Sequence, residues 1–318
     1  MSDRRELNQI EWEKLQAIKF TRTKRLRSIF TTIAYIILTT WAIVSLLPMY
    51  WMFVCSFKHI GVSFSIDDIE FYPSNPTKEN YINFLQLDAP PWIPRRPVAR
   101  WFLNSLLVAL LPTISNLIFD SMAGYAIAKM KFPLKQAIFW AIVMTMMIPE
   151  IVILIPLYRM MFDFKWYNTY WALLFPGFAG VGGIFLFKQS IESLPTSIIE
   201  AARVDAASEA RIFFRIILPL SKPILSVMGI FGFIGGWNSY FWPYLVTESS
   251  KLYTIQVGLT SLMGAGGGAG VTGTLTFGID EYGQMLAGAS MAAIPVIIIF
   301  FLLQKYIIQG ITIGALKG

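Results

Sequence analysis

Six long apolar segments dominate this sequence and restrict what it can fold into. The first, Ile29–Phe57, carries no charged residue and exceeds the about 20 apolar residues that cross a bilayer as an α-helix. Inside lipid, only helices and closed barrels satisfy their backbone hydrogen bonds, and the strict alternation of a membrane barrel is absent. The sequence therefore predicts an all-α polytopic membrane protein with six transmembrane helices, over Ile29–Phe57, Trp101–Ala128, Gln136–Tyr158, Trp166–Phe187, Pro223–Thr247 and Tyr282–Gln304.

Charge supports this prediction and orients the helices. Only 14% of the residues are charged and 55% are hydrophobic, whereas soluble domains have about 25% and about 45–50%. The net charge of +7 does not indicate nucleic-acid binding, because the basic residues lie at the ends of apolar segments. Of the 26 Lys and Arg residues, 18 fall in segments 1–28, 129–135, 188–222 and 305–318. The positive-inside rule places these segments and both termini in the cytoplasm.

Residues 1–28 form a basic leader before the first apolar segment. Leu7, Ile10, Leu15 and Ile18 recur among its charges at roughly helical spacing. This pattern suits a helix on the inner membrane face, and it equally suits a partly disordered basic tail. The apolar segment that follows is too long for a signal-peptide core, so we expect a retained anchor.

Catalytic and cofactor signals are weak in this chain. Cys55 and His59 are the only residues of their types, so no disulfide, metal cluster or Cys/His pair is expected. The glycine-rich stretch Gly264–Gly270 lacks the Gly-Lys-Ser/Thr ending of a phosphate-binding loop. We interpret it as a flexible linker and expect no ATP site, enzyme activity or cofactor in this chain.

The segment between the fourth and fifth apolar runs, about 193–219, is much longer than a connector needs to be. Ser197 and Glu200 have capping-box spacing, and Ser208 can cap a second helix that Leu218-Pro219 ends. The residues predict a short cytoplasmic helical hairpin with a small-residue face and balanced charges. Packing on its own bundle and contact with a partner explain this pattern equally well. A DNA-reading helix-turn-helix is less favoured, because the hairpin is nearly neutral.

The hairpin sequence closely resembles the EAA motif of ABC importer permeases. That motif has Glu-Ala-Ala, then Asp-Gly-Ala-Ser, then Ile-x-Leu-Pro, and this chain has EAARVDAAS followed by FFRIILPLSKP, from Glu200 to Pro223. Ala206 stands where the family usually has glycine, and a positive φ there would cost alanine about 1 kcal/mol. Further segments over residues 29–318 resemble the maltose-type branch, smaller subunit: Asn104-Ser105, Met147-Ile148-Pro149, Ile155-Pro156, Asn168–Ala172, Trp237-Asn238, Trp242-Pro243 and the end from Gln304 to Gly318.

This resemblance implies a mechanism and a set of partners. A second permease subunit would complete the path for a carbohydrate, expected to be an oligosaccharide, across the bacterial plasma membrane. Two separate ATPase subunits would bind ATP and Mg²⁺, and an extracellular binding protein would deliver the sugar. The residues expected to couple to the ATPase are Glu200, Ala201, Ala202, Arg203, Asp205, Ala206 and Lys317.

Two other functions remain open on sequence grounds. Asp120 and Glu150 are acids inside apolar segments, which could be a proton relay of a secondary carrier or solvated or paired acids lining a path. No internal repeat of the kind common in secondary carriers is visible. Trp237, Asn238 and Tyr240 could line a sugar path, and the aromatics could equally form an interfacial belt. A scaffold or receptor would carry an additional domain, which is not visible here.

Overall fold

The computed structural model describes the backbone of residues 2–59, 71–86, 97–262 and 282–315, and side chains within 27–304 of these ranges. Its regular secondary structure in these ranges is helical. The first helices are α1 Ser2–Ser56, α2 Glu79–Leu85, α3 Pro97–Lys129, α4 Lys135–Thr145, α5 Glu150–Asp163, α6 Tyr170–Leu174 and α7 Val181–Glu192. The others are α8 Thr196–Val204, α9 Glu209–Ile212, α10 Leu218–Leu220, α11 Lys222–Trp237, α12 Phe241–Val246, α13 Ile255–Leu262 and α14 Tyr282–Ala315.

Four helical segments in these ranges are long and apolar enough to cross a membrane, and six are if each bent pair counts as one span. The four are Arg27–Ser56, Pro97–Lys129, Tyr170–Glu192 and Tyr282–Gln304. The predicted all-α, multi-spanning class is confirmed.

Two of the predicted spans are not continuous helices. The third breaks at residues 146–149, where α4 and α5 meet at 95°, so Glu150 begins a helix instead of interrupting one. Pro149 has no N–H to extend α4 and suits the extended conformation that it adopts there, with φ −59° and ψ 134°. The fifth predicted span ends at Trp237, well before Thr247, and α12 follows as a separate short helix.

The fourth span begins later than predicted and is irregular inside. It begins at Tyr170, tightens into a 3₁₀ turn over Phe175–Gly177 and resumes as α7. The break frees the backbone N–H of Gly180, which donates to Asp120 Oδ1 at 3.1 Å.

The basic leader is helical and continues into the first span as the single helix α1. Of the two predicted alternatives, the partly disordered tail is wrong and the helix is confirmed, and its position on the inner membrane face stays a prediction. From Ile29 to Tyr50 the side chains of α1 are exposed, so this stretch presents an apolar surface to lipid or to another membrane protein.

Helix α3 forms the centre of the bundle, and small residues let its neighbours approach closely. A Cβ on Gly236 of α11 would lie 2.7 Å from Ala109 Cα, and one on Gly124 would lie 2.8 Å from Phe187 Cβ of α7. Close backbone approach through small residues is the usual way in which helices pack inside a membrane.

At the end of the bundle near Trp101, side-chain amides fasten the connecting segments to the helices. Asn104 Nδ2 donates to the carbonyls of Lys251 and Tyr253 at 2.9 and 2.8 Å. Asn168 Oδ1 accepts the backbone N–H groups of Glu248 and Ser249 at 3.0 and 2.9 Å. Asn104 and Asn168, which belong to the segments of family resemblance, therefore have structural roles here.

Candidate functional site

The hairpin of α8 and α9 forms as predicted, but its first helix begins differently. Pro195 occupies the N-cap of α8, no side chain caps that end, and Ser197 lies inside the helix, so the predicted capping box is wrong. The second cap is confirmed, because Ser208 Oγ accepts the Arg211 N–H at 3.3 Å. A π-helical turn over Phe213–Ile217 joins α9 to α10. The predicted stop at Leu218-Pro219 is therefore one residue early, since this continuous helical run ends at Leu220 and turns by 78° into α11.

The turn between α8 and α9 is a Schellman motif. The Ala207 N–H donates to the Ala202 carbonyl and the Ala206 N–H to the Arg203 carbonyl, both at 3.0 Å. Ala206 has φ 55°, the left-handed conformation that glycine usually supplies at this position. The chain therefore adopts the left-handed turn with alanine and tolerates the cost of its Cβ.

Ala206→Gly is expected to stabilise the turn by about 0.5–1 kcal/mol, the left-handed penalty minus the entropy that glycine loses. Hydrogen exchange of the Ala207 amide should then slow about two- to fivefold. Ala201→Gly, the same substitution inside α8, should accelerate exchange instead. Faster exchange in Ala206→Gly would contradict this prediction.

The hairpin has an inner face that packs on the bundle and an outer face that is exposed. Ile199 is buried, and Ala202 and Ala207 pack with it against a cluster containing Phe187 and Ile191 of α7. Glu200, Ala201, Asp205 and Ala206 are exposed, and Val204 between them is 86% exposed. Packing on its own bundle therefore occupies only one side of the hairpin, and an apolar residue remains uncovered on the other.

Glu209 fastens the two arms of the hairpin to α3. Its Oε1 accepts Arg203 Nε at 2.8 Å and its Oε2 accepts the Tyr125 hydroxyl at 2.6 Å. These hydrogen bonds, that from Arg203 first, lower the pKa of Glu209 below its usual value. Arg203 therefore braces the hairpin internally, a role that its place in the EAA motif did not suggest.

A cavity of about 740 Å³ lies beside the first half of α5, and its volume is within the usual range of small-molecule pockets. The structure brings two of the predicted path residues together here, Glu150 and Tyr240, which are far apart in sequence. Its other lining residues are Val108, Pro112, Ile151, Ile153, Leu154, Leu157, Leu173, Pro176, Gly177, Gly235, Gly236, Ser239, Phe241 and Trp242.

The remaining path candidates lie elsewhere. Trp237 is buried and donates its Nε1 to the Ala292 carbonyl at 3.0 Å, which makes it a core residue. Asn238 is exposed and lines a separate cavity of about 360 Å³ with Gln256 and Thr260. Asp120 is 1% exposed and is enclosed between α3 and α7 beside Gly183, away from both cavities.

Two predicted features cannot be compared with the structure, and two residues of the hairpin site were not predicted. Lys317 and the glycine-rich stretch Gly264–Gly270 lie outside the described ranges. Tyr125 and Val204 were not predicted to belong to the hairpin site. The exposed position of Val204 on α8 follows from helical periodicity, whereas the Tyr125 contact spans 84 residues and has no local pattern.

Comparison with known proteins defines the family. The family model described as "binding-protein-dependent transport system inner membrane component" matches residues 120–313. The chain belongs to this family. It is therefore an integral membrane component of a transport system that depends on a binding protein.

Curated relatives and a solved structure agree with this assignment. The chain is 32% identical over 248 residues, 78% of its length and 82% of the relative's, to the arabinooligosaccharides transport system permease protein AraQ of Halalkalibacterium halodurans. It is 32% identical over 215 residues, 68% of its length and 73% of the relative's, to the sn-glycerol-3-phosphate transport system permease protein UgpE of Pectobacterium atrosepticum. The crystal structure of a bacterial ABC transporter involved in the import of the acidic polysaccharide alginate shares the fold, with TM-score 0.73, 24% identity and coverage of 87% of this chain and 96% of that one.

Proposed function

We propose that this chain is the permease subunit of an ATP-driven carbohydrate importer and that it moves an oligosaccharide by alternating access. The observation that carries the proposal is the outer face of the hairpin, where Glu200, Ala201 and Val204 are exposed on a helix whose other side is anchored to the bundle. A single exposed apolar residue is common on protein surfaces, so Val204 supports the proposal only through its place beside Glu200 and Ala201 in the segment that resembles the EAA motif. The partner proposed for this face is a separate ATPase subunit that holds ATP and Mg²⁺.

Anchoring of the hairpin supports its proposed role in transmitting motion. The bridge from Arg203 through Glu209 to Tyr125 connects both hairpin helices to α3, the central helix. When the ATPase subunits close, a push on α8 would reach α3 as a rigid-body displacement. The cavity beside Glu150 and Tyr240 borders α3, so the same displacement would open or close a sugar path.

The proposal includes partners beyond the ATPase pair. We expect a second permease subunit against the exposed face of α1 or α5, and an extracellular binding protein that delivers the sugar. A secondary carrier would instead need an accessible relay acid in the membrane. Asp120 is enclosed, accepts a backbone N–H and faces glycines, which suits structural support better than proton transfer, whereas Glu150 is exposed and is the acid through which a secondary carrier would act.

The energy source distinguishes these two functions. The assay uses right-side-out membrane vesicles from the native host, loaded with ATP, so that uptake from outside can be measured directly. Uptake of a labelled oligosaccharide should require internal ATP and added binding protein, and it should survive an uncoupler that collapses the proton gradient. Uptake that needs the gradient and ignores ATP would favour the secondary carrier.

Both termini are expected in the cytoplasm, with the tail from Gly314 to Gly318 near the ATPase subunits. In a Cys55→Ser background, the Lys317→Cys thiol should resist a membrane-impermeant maleimide in intact cells and react after lysis. A thiol-to-amine cross-linker should capture an ATPase subunit from the same position. Labelling from outside intact cells would show that the C-terminus is not cytoplasmic. Recovery of only uncross-linked chain would show that the tail does not contact an ATPase subunit.

A further inference from the structure

We propose that the 740 Å³ cavity binds uncharged carbohydrate and that the carboxylate of Glu150 excludes anionic sugars from it. This inference rests on the proposed function, because it assigns a substrate class to the path. Glu150 is exposed to the cavity at the start of α5 and is the only charged side chain among the sixteen lining residues. The described lining contains neither Lys nor Arg.

The start of α5 does not reverse this charge. A helix N-terminus carries the equivalent of about half a positive charge, which favours anions. Glu150 is the first residue of α5, so its own carboxylate offsets that charge and leaves a net negative site. A phosphate or uronate entering the cavity would meet like charge with no cation among the described lining residues to compensate it.

The other polar groups suit a neutral sugar. Ser239 and Tyr240 provide hydroxyls, and a carboxylate such as that of Glu150 can accept hydrogen bonds from sugar hydroxyls. Trp242 is held in place, because its Nε1 donates to the Ala172 carbonyl at 2.9 Å. The Tyr240 ring stacks on that of Tyr244 with centroids 5.5 Å apart. Fixed aromatic surface beside a few polar groups is the usual composition of a ligand pocket.

Charged thiol reagents measure the sign of the potential in the cavity. The native Cys55 is buried and is removed by Cys55→Ser, and Ser239→Cys then places one thiol among the lining residues. The full transporter in native-host membranes is treated with two methanethiosulfonates, one bearing trimethylammonium and one sulfonate. Rates are divided by those for a free thiol. Asn238→Cys is the matched control. Asn238 is the residue next to Ser239 in sequence, but it lines the other cavity, whose described lining has no charged residue.

At Ser239→Cys the cationic reagent should react roughly tenfold faster than the anionic one, or more, and Glu150→Gln should bring the ratio to about one. At Asn238→Cys the ratio should be about one with either residue at position 150. A ratio near one at Ser239→Cys with Glu150 present, or a ratio that Glu150→Gln leaves unchanged, would overturn the assignment of charge selection to Glu150.

Protection by sugars tests the ligand class at the same thiol. Arabinotriose and maltotriose are the neutral probes, and glycerol 3-phosphate and an alginate trisaccharide are the anionic ones. A neutral probe should slow labelling at Ser239→Cys severalfold and the anionic probes should not. Protection by an anionic probe alone, or by none of the four, would refute the proposal. ATP-dependent uptake by vesicles in the same preparation would show that the importer function stands even if the cavity assignment fails.

Discussion

Glu200→Lys is expected to abolish ATPase binding and sugar uptake while leaving the permease folded in the membrane. Glu200 is exposed on the outer face of α8, and no hydrogen bond or ion pair to it is found among the described residues. An exposed substitution of this kind usually changes stability by no more than about 0.5 kcal/mol. Glu200 is the middle residue of α8, and the helix dipole acts mainly within the first and last turns, so a lysine there is close to neutral for the helix.

The interface is expected to be far less tolerant. Removing one partner of a buried, hydrogen-bonded charge pair costs about 2–5 kcal/mol. That range corresponds to a loss of affinity for the ATPase of roughly 30-fold to several thousandfold. Pull-down of the tagged permease, with quantification of the retained ATPase subunit, measures this loss.

The matched control reverses charge at an exposed acid on another part of the chain. Asp163→Lys alters the exposed last residue of α5 and should retain the ATPase. Normal uptake in Glu200→Lys would remove the hairpin from the mechanism. Loss of Glu200→Lys from the membrane would show that the hairpin serves mainly to support its own bundle.

Gly183→Ala is expected to prevent stable packing of α7 on α3. A Cβ at Gly183 would overlap the Asp120 carboxylate, which is almost fully buried. Either the helices separate or the carboxylate moves and loses the Gly180 N–H, and overpacking and a lost buried hydrogen bond each cost about 1–3 kcal/mol. A total of about 3 kcal/mol or more should appear as a large drop in the yield of monodisperse protein and in its thermal midpoint.

The neighbouring glycine provides the control, and Asp120 provides a rescue. A Cβ at Gly182 would meet nothing within 4 Å, so Gly182→Ala should fold normally. Combining Gly183→Ala with Asp120→Ala removes the obstructing carboxylate and should cost less than the two single effects added together. Equal stability of the Gly182 and Gly183 variants would show that α3 and α7 are not packed as the structure places them.

The predicted and observed helices agree best where one local sequence signal decides the structure. Long apolar runs predicted the spans, and Ser208 followed by Glu209 predicted a helix start that the structure confirms. The capping box failed because Pro195 starts α8 ahead of Ser197, so the serine that matched the pattern lies inside the helix. The bend at 146–149 was not predicted, because a proline in a long apolar run is compatible with a continuous membrane helix and with a broken one.

The sites depend on contacts between distant segments, which sequence patterns do not encode. Glu150 and Tyr240 were each predicted as path candidates, but only the fold shows that they share a cavity that Trp237, Asn238 and Asp120 do not line. The Tyr125–Glu209 contact likewise required the structure. The turn at Ala206 was predicted only in part. The family resemblance indicated that a left-handed residue could stand there, and the structure shows that Ala206 adopts that conformation with φ 55°.

Purification of the tagged chain from membranes of its native host shows whether it works as part of an ATP-driven importer. We expect a complex of this chain, a second permease and two ATPase subunits, whose ATP hydrolysis is stimulated by binding protein loaded with sugar. Reconstitution of that complex into liposomes should give sugar uptake that depends on ATP. A chain that purified without an ATPase subunit and, reconstituted alone, carried sugar in response to a proton gradient would be a secondary carrier instead.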